Sequence, residues 1–408
     1  MHILFIADNF PPEGNAPATR TYEHAREWVE LGHKVTVITC APNFPEGKVF
    51  DGFKNSLYSR STMEGIVVVR VKTFISSNEG FVLRILDFMS FMFSSFWAGV
   101  FQKEVDVVVA TSPQFFTAVA GWAISAFKRK KFVFELRDIW PASITAVGAM
   151  KDSFAIKLLE KLEMFLYRRA DSIVSVTNSF KKELVERGIK GEKISVVLNG
   201  VDLTKYQPVV EKNKELSEQY QLEEKFVIGY IGTHGMAHAL EHVIDAAELL
   251  KANDNIRFIF AGGGAAKEKL VTLVEEKQLK NVVFIPRQPK ENMPAIWSLC
   301  DVSLISLRDA ALFKTVIPSK IFESMGMGLP MISAIPQGEA SEVIESANAG
   351  IVCKPENGHE LAQKISELRS SDALLTQYQT NSLNAAPKYD RKVQACLMLN
   401  QLKNTIDK

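Results

Sequence analysis

The chain has 408 residues, 47% of them hydrophobic, and its 48 lysines and arginines nearly balance 47 aspartates and glutamates. This length suggests two or three globular domains, and a net charge of +1 argues against broad binding of nucleic acids. The four cysteines, Cys40, Cys300, Cys353 and Cys396, stand far apart without a CxxC pair. Neither a disulfide framework nor a zinc ribbon is indicated, and a reducing compartment fits best.

Short apolar runs rich in β-branched residues alternate with helical patterns along the chain. The first run, residues 2–7, lacks a preceding basic region, so it is predicted to be a strand and not a signal peptide. The further candidate strands are 34–39, 65–71, 106–111, 131–136, 171–176, 193–198, 226–232, 256–262, 282–286, 301–307, 329–334 and 349–353. With helices between them, such as 18–31 and 239–252, these runs predict parallel, doubly wound sheets.

A polar, charged stretch at residues 209–225 breaks this alternation. It is predicted to be an interdomain linker with a short helix. We therefore expect two α/β domains, residues 1–202 and 203–386. Ligands of such sheets bind beyond the carboxyl ends of the strands, so the informative side chains should lie in the strand-to-helix loops.

The loop after the first strand is long for a strand-to-helix connection. Its Gly14 lets the backbone come close to a ligand, and Glu13, Asn15 and Arg20 could hydrogen-bond a polyol. The alternative is a plain turn followed by a helix cap.

A second loop of this domain, after the strand 131–136, carries Arg137 and Asp138 side by side. They could bind a ligand at the carboxyl end of the sheet. A structural salt bridge explains the two residue types equally well.

The second domain opens with a strand followed by Gly232 and Gly235, whose turn would expose backbone N–H groups to an anion. His234, His238 and His242 follow at intervals of four, and His at i and i+4 is a metal-ligand spacing. No third ligand is evident, so we favour the alternative in which His234 contacts a ligand and the other two lie on the helix surface.

The stretch TVIPSKIFESMGMGLP, residues 315–330, carries the sharpest signal. Pro318 suits a first helical turn, and Lys320 near a helix N-terminus opposes the macrodipole unless an anion offsets it. Glu323, one turn on, could accept hydrogen bonds from the vicinal hydroxyls of a ribose. Phosphate and diol together indicate a nucleotide, whereas the alternative is an exposed Lys–Glu pair.

The uncharged, phenylalanine-rich segment 88–101 is shorter than the roughly 20 residues of a spanning helix. A buried helix of the first domain is the favoured interpretation. The alternative is a helix whose aromatic face lies in a bilayer interface, next to the basic segment 127–132.

Several motifs together resemble the retaining glycosyltransferases of family 4: PSKIFESMGMGLPMISA, VLNGVD, GHKVTVIT and GYIGTHG. PPEGNAPATR and RDIWP are similar to the branch that assembles bacterial O-antigen or capsule. The resemblance implies the α/β GT-B fold, two facing Rossmann-like parallel-sheet domains with an interdomain cleft. It makes 1–202 the acceptor-binding domain, joined by a C-terminal helix at about 387–408, and 203–386 the domain that binds the nucleotide-sugar donor.

The resemblance also implies a role for each candidate residue. The catalytic candidates are Lys320, Asp138 and Arg137; the donor-binding candidates are Gly232, Thr233, His234, Gly235, Arg308, Pro318, Ser319 and Glu323; the acceptor-binding candidates are Glu13, Gly14, Asn15 and Arg20.

Two family features are replaced in this chain. Thr315 stands where the family has the first of two glutamates, which lies near the donor sugar, and Glu323 matches the second. The arginine and lysine of the phosphate loop are missing, with Thr233, or His234 and His238, near their places. Lys320, together with Arg308, would then supply more of the positive charge.

The resemblance implies transfer of a sugar, expected to be an N-acetylated amino sugar, from a UDP-sugar to a lipid-linked saccharide, with retention and without a metal or other cofactor. We expect the protein at the inner face of the cell membrane, in peripheral contact with it and without a nucleic-acid partner; a homo-oligomer is left open. The rival hypotheses are a nucleotide-sugar epimerase and an inactive nucleotide-sugar-binding protein.

Overall fold

We describe the protein from a computed structural model, which covers residues 1–44, 46–75, 81–140 and 154–408. These residues form two compact units, Met1–Leu198 together with Arg391–Lys408, and Asn199–Asp390. The chain thus leaves the first unit after residue 198 and re-enters it at residue 391. The sequence analysis places the corresponding boundaries at 202 and about 387.

The described part of the first unit contains an eight-stranded sheet. Its strands are β1 (His2–Ile6), β2 (Lys34–Cys40), β3 (Tyr58–Met63), β4 (Ile66–Val71), β5 (Val107–Thr111), β6 (Lys131–Leu136), β7 (Ser172–Ser175) and β8 (Ile194–Val196). Their order is β3-β4-β2-β1-β5-β6-β7-β8. Only the edge pair β3–β4 runs antiparallel among these strands.

The sequence analysis missed β3, and its composition explains why. The strand reads YSRSTM and is exposed along nearly its whole length, so it lacks the apolar run that marks the other strands. It lies at the sheet edge and pairs on one side only, with β4. A strand of this kind need not bury either face.

Helices cover this sheet: α1 (Ala16–Glu30), α2 (Phe81–Val100), α3 (Phe115–Lys128), α4 (Phe154–Arg169) and α5 (Asn178–Glu186). Asn15 caps α1, since its side chain accepts the backbone N–H of Ala18 at 2.8 Å. The β-branched strands, the inward face of α1 and residues of the last helix of the chain form the core between them.

Helix α2 has two unlike faces. Phe91, Ser95 and Ala98 are buried, and a Cβ on Gly99 would lie 2.4 Å from Cδ1 of Ile124 in α3, so the two helices pack closely. The opposite face leaves Trp97 60% exposed. Among the described residues, no helix combines the length and the apolarity that crossing a bilayer requires.

The second unit contains a parallel six-stranded sheet in its described residues, in the order β11-β10-β9-β12-β13-β14. The strands are β9 (Phe226–Ile231), β10 (Ile256–Ala261), β11 (Val282–Ile285), β12 (Val302–Ser306), β13 (Met331–Ala334) and β14 (Gly350–Cys353). All six coincide with predicted strands. The inner strands are buried and therefore apolar and rich in β-branched residues, and the partly buried edge strands β11 and β14 keep the same composition.

The helices of this unit are α6 (Lys214–Gln219), α7 (Glu241–Leu249), α8 (Lys267–Glu276), α9 (Met293–Trp297), α10 (Lys320–Gly326), α11 (Glu339–Ser346), α12 (Gly358–Arg369) and α13 (Asp372–Ala385). Helix α6 is the short helix predicted in the polar stretch 209–225. One core cluster joins β9, β10 and β12 to α7, α8 and α12.

The last helix, α14 (Arg391–Ile406), completes the first unit. Its Met398, Leu399 and Leu402 belong to the core of that unit, and the indole of Trp28 in α1 donates to the carbonyl of Ala395 at 2.9 Å. The two Rossmann-like units with parallel sheets confirm the predicted fold class.

Candidate donor site

Lys320 is a buried lysine without a hydrogen-bond partner in the described structure. It begins the short helix α10, its side chain is 7% exposed, and its Nζ has no acceptor. Nζ instead lies 3.6 Å from the centroid of the Tyr230 ring at the end of β9. Burial lowers the pKa of Lys320 to about 7, although the Glu323 carboxylate acts in the opposite direction. Such a group has the chemistry to receive an anion.

The turn after β9 brings backbone close to this ammonium group. Gly232 has φ +141°, and a Cβ there would lie 3.2 Å from Nζ of Lys320. Gly262, at the end of the neighbouring strand β10, packs on the same turn, since its Cβ would lie 2.0 Å from the carbonyl oxygen of Gly232. The predicted Gly232 and Lys320 are therefore brought together, and Gly262 is needed for the turn to fit.

His234 lies differently from the expectation. Its side chain is fully buried, and its ring packs among Tyr230, Phe260 and Phe284 at centroid distances of 5.9, 6.2 and 6.3 Å. Burial, followed by the charges of Lys267 and Lys320, lowers its pKa to about 4. The ring thus packs in the aromatic core, with neither ring nitrogen hydrogen-bonded in the described structure, and its donor-binding role stays a prediction. The backbone belongs to the turn, donating to the Gly263 carbonyl at 2.9 Å.

His238 is oriented by the neighbouring strand. Its Nδ1 lies 3.1 Å from the carbonyl oxygen of Ser306 in β12, and the Ser306 hydroxyl donates to the His238 carbonyl at 2.6 Å. A carbonyl only accepts, so Nδ1 carries the proton and Nε2 has a free lone pair in the neutral ring. Burial and then the charge of Lys320 lower the pKa of His238 to about 4. The ring meets Tyr230 edge-on at 5.8 Å.

Glu323 lies one turn beyond Lys320 on α10. Its Oε2 accepts the indole N–H of Trp297 at 3.2 Å, a contact that orients one carboxylate oxygen. Pro318 and Ser319 precede the helix, and their carbonyls accept the N–H groups of Ile321 and Phe322 at 3.1 and 3.0 Å. These contacts fix the backbone that presents Lys320.

Thr315 ends the short 3-10 helix Ala311–Lys314, and its hydroxyl donates to the Leu312 carbonyl at 2.8 Å. Arg308 lies 42% exposed with its Nε 3.4 Å from Oε1 of Glu356, and its backbone N–H donates to Ala237. Thr233 is exposed, and its carbonyl accepts the Tyr230 hydroxyl at 2.8 Å. These geometries leave the predicted donor roles of Arg308 and Thr233 as predictions.

Two of the predicted acceptor-binding residues form buried hydrogen bonds with other residues of the first unit. Arg20 is 1% exposed, forms an ion pair with Glu135 at 2.8 Å and donates to the carbonyls of Val197 and Leu198. Glu13 is buried, at 4% exposure, and its carboxylate accepts two backbone N–H groups, from Asn43 and Phe44, at 2.8 and 2.9 Å.

Asn15 is occupied as the cap of α1, while a Cβ on Gly14 would meet nothing within 4 Å. The plain turn with a helix cap therefore describes this loop locally. The acceptor-binding role of these residues remains a prediction.

Arg137 and Asp138 follow β6, and their backbone N–H groups donate to the Ser112 hydroxyl at 2.7 and 3.2 Å. Nη1 of Arg137 is buried without a hydrogen-bond partner. Burial lowers the pKa of Arg137 to about 10, opposed by the Glu135 carboxylate and reinforced by the charges of Arg20 and Arg391. Pro141 of the RDIWP motif lies outside the described residues.

The sequence analysis missed two aromatic residues of the site. Tyr230 was counted as part of a buried strand, and Trp297 lies in a helix that apolar periodicity did not mark. In the sequence, neither residue can be distinguished from an ordinary aromatic residue of the core. In the described residues, no group of three or more His, Cys, Asp or Glu side chains could hold a metal ion.

Two family models match successive parts of the chain. Glycosyltransferase Family 4 matches residues 17–205, and Glycosyl transferases group 1 matches residues 212–385. A relative, named "Putative colanic acid biosynthesis glycosyl transferase WcaI", from Escherichia coli (strain K12), is 25% identical over 375 residues, or 90% of this chain and 91% of its own.

Solved structures share the fold along nearly the whole chain. Sucrose-phosphate synthase from Thermosynechococcus elongatus has a TM-score of 0.80 at 13% identity, covering 99% of this chain and 98% of its own. HepE from Anabaena in complex with UDP has a TM-score of 0.71 at 17% identity, covering 99% and 100%. The chain therefore belongs to the glycosyltransferases of the GT-B fold, with a family 4 domain followed by a group 1 domain.

Proposed function

We propose that this glycosyltransferase moves a sugar, an N-acetylated amino sugar, from a UDP-sugar to a lipid-linked saccharide during synthesis of a bacterial surface polysaccharide. The single observation that carries the donor assignment is the buried Nζ of Lys320, which lacks a hydrogen-bond partner in the described structure. A buried ammonium group is costly unless an anion reaches it. The UDP complex of HepE and the colanic acid assignment of WcaI support the donor and the pathway class.

Lys320 and Glu323 would bind different parts of the donor. Lys320 would bind the diphosphate, and Glu323, held by Trp297, would accept hydrogen bonds from the ribose hydroxyls. The backbone of the turn Gly232–Gly235 would supply further N–H donors.

The chemistry requires stabilisation of a leaving group. The bond between the anomeric carbon and the β-phosphate oxygen breaks, the sugar gains oxocarbenium character, and negative charge grows on the phosphate. Lys320 would stabilise that charge, a preorganised electrostatic contribution. The acceptor oxygen attacks from the same face, so the configuration is retained, and its proton passes to a phosphate oxygen. We propose that no metal or cofactor takes part, with Arg137 and Asp138 orienting the hydroxyl groups.

We further propose that the protein lies on the inner face of the cell membrane. Three large aromatic side chains at the adjoining ends of α2 and α3, Trp97, Phe101 and Phe127, are 60%, 73% and 66% exposed. The exposed Arg129 and Lys130 follow directly. An aromatic surface beside cationic groups suits an anionic bilayer interface.

Sedimentation with vesicles tests the membrane contact. The double variant Trp97→Ser, Phe127→Ser should lose binding to phosphatidylglycerol vesicles, whereas Val210→Ser, at a fully exposed position of the second unit, should bind as wild type. Equal sedimentation of all three proteins would contradict the contact.

An assay of UDP release separates the three functions. Protein is incubated with UDP-sugars, with and without a membrane lipid extract. Release that depends on the extract supports transfer, isomerised sugar without an acceptor supports an epimerase, and binding without turnover supports an inactive binding protein.

A further inference from the structure

Three basic side chains of the second unit gather around one aromatic ring. The Lys320 ammonium lies on the face of Tyr230, and the rings of His234 and His238 lie 5.9 and 5.8 Å from the Tyr230 centroid. His234 faces the aromatic core, as described above. His238 differs, because its Nδ1 is engaged by the Ser306 carbonyl and its Nε2 is left with a lone pair.

The position of His238 makes it a second group that a diphosphate on Lys320 would meet. It lies on the turn that follows Gly232, and Lys320 is close enough for its charge to act on the imidazole. The titratable groups that face it are Lys320 from α10, Tyr230 from β9 and His234 from the turn. Strand β12 contributes the Ser306 carbonyl.

We propose that His238 binds the donor diphosphate through Nε2 as an imidazolium, so that the protein takes up a proton when the nucleotide binds. This inference rests on the proposed function. The ring is pre-oriented by Ser306, and it is kept neutral in the free protein by burial and by the charge of Lys320. The negative charge of the diphosphate would favour the protonated ring and so oppose both influences.

The size of the effect follows from the charge. An opposite charge within hydrogen-bonding distance raises the pKa of a histidine by roughly 1–3 units. A ring that titrates at about 4 in the free protein would then titrate at roughly 5–7 in the complex. Because linkage is reciprocal, the contribution of His238 to nucleotide affinity increases as the pH falls through that range.

The variant His238→Asn removes Nε2, the nitrogen that would take up the proton, and keeps a donor in place of Nδ1. An asparagine amide can replace Nδ1 as donor to the Ser306 carbonyl, but it has no counterpart of Nε2. His238→Gln is the matched control, since its longer side chain places an amide donor near Nε2 that cannot change charge. Melting temperatures of both variants report whether the fold is kept.

The experiment is titration calorimetry with UDP at pH 6 and pH 8, each in two buffers of different ionisation enthalpy. UDP has a phosphate pKa near 6, and Lys320, with a pKa of about 7, also takes up protons when the diphosphate binds. Both contributions are present in wild type and variant alike, so they cancel in the difference. At pH 6 the wild type should take up roughly 0.1–0.9 proton more than His238→Asn, and bind up to roughly tenfold more tightly. At pH 8 the two affinities should agree.

Equal proton uptake by wild type and His238→Asn at pH 6 would overturn the inference, and so would a loss of affinity that is the same at both pH values, which a structural role predicts. If wild type does not bind UDP but binds GDP, the base assignment fails and the same comparison is made with GDP. If it binds neither, the donor site itself fails, and the inference with it.

Discussion

The ammonium nitrogen of Lys320 and the ring of Tyr230 form a cation–π contact of 3.6 Å in which the lysine has no other partner in the described residues. The contact offsets part of the cost of burying the charge, but the lowered pKa of Lys320 shows that a cost remains. The site thus holds a charge at the expense of stability.

The first prediction follows from that cost. Lys320→Met should reduce turnover by about 10²–10³-fold, the usual effect of removing one transition-state charge donor, while raising the melting temperature. Each kcal/mol relieved should add about 2–4 °C for a unit of this size. Steady-state kinetics and calorimetry check both, with the exposed Lys314→Met as control. Near-normal turnover would remove Lys320 from the mechanism.

The stability gain of Lys320→Met should depend on pH. The pKa of Lys320 is about 7 in the folded protein and near 10.4 in the unfolded chain, so the unfolded chain binds more protons between these values. The cost of burying the Lys320 charge therefore decreases as the pH rises from 7 to 10, and the wild-type free energy of unfolding increases. The advantage of the variant is largest at or below pH 7 and shrinks towards pH 10, as measured by the difference in unfolding free energy.

The second prediction concerns His234. His234→Phe should leave UDP affinity within about twofold of wild type, because the ring packs among aromatic residues. It should also reduce the loss of stability between pH 6.5 and 4, where the unfolded chain binds a proton that the buried ring does not. A large loss of affinity with an intact fold would return the His234 side chain to the donor site.

The third prediction assigns Glu323 to the ribose. In wild type, 2′-deoxy-UDP should bind roughly 10–100-fold more weakly than UDP, since a hydrogen bond to a charged group is lost. Glu323→Gln should bind UDP more weakly and should discriminate little between the two nucleotides. The coupling between variant and ligand, read from four dissociation constants, carries the test. Full discrimination by the variant would contradict it.

The fourth prediction uses two adjacent glycines. A Cβ at Gly262 would collide with the Gly232 carbonyl, whereas a Cβ at Gly263 would meet nothing within 4 Å. Gly262→Ala should therefore displace the turn beside Lys320 and lower UDP affinity at least tenfold, or destabilise the unit. Gly263→Ala should behave as wild type in the same binding and melting experiments. Identical behaviour of the two variants would show that the turn is not held by this contact.

The fifth prediction separates structure from acceptor binding at Arg20. Removing one partner of the buried pair with Glu135 should cost about 3–5 kcal/mol. Arg20→Met should thus lower the free energy of unfolding of the first unit, measured by denaturant titration. If stability is unchanged while the KM for acceptor rises, Arg20 binds acceptor and the ion pair is incidental.

The sequence predicted the sheets better than the side-chain environment of the site. Buried parallel strands demand a local composition that can be recognised, whereas β3 has none. Lys320 and Glu323 were found because their spacing within one short helix is visible locally. His234 and His238 could not be told apart, since Ser306 and Phe284, which decide their orientation, lie far along the chain. The same holds for Arg20, whose partner Glu135 is 115 residues away.

The return of α14 to the first unit has a consequence for biosynthesis. The core around Trp28 needs Met398, Leu399 and Leu402, which the ribosome adds only after the whole of Asn199–Asp390 has been made. The second unit can fold while translation continues. The core of the first unit stays incomplete until then, because the apolar face of α1 that α14 covers is still exposed. Stalled or prematurely terminated chains would therefore expose apolar surface in the unit that was synthesised first, and would be targets for chaperones and proteases.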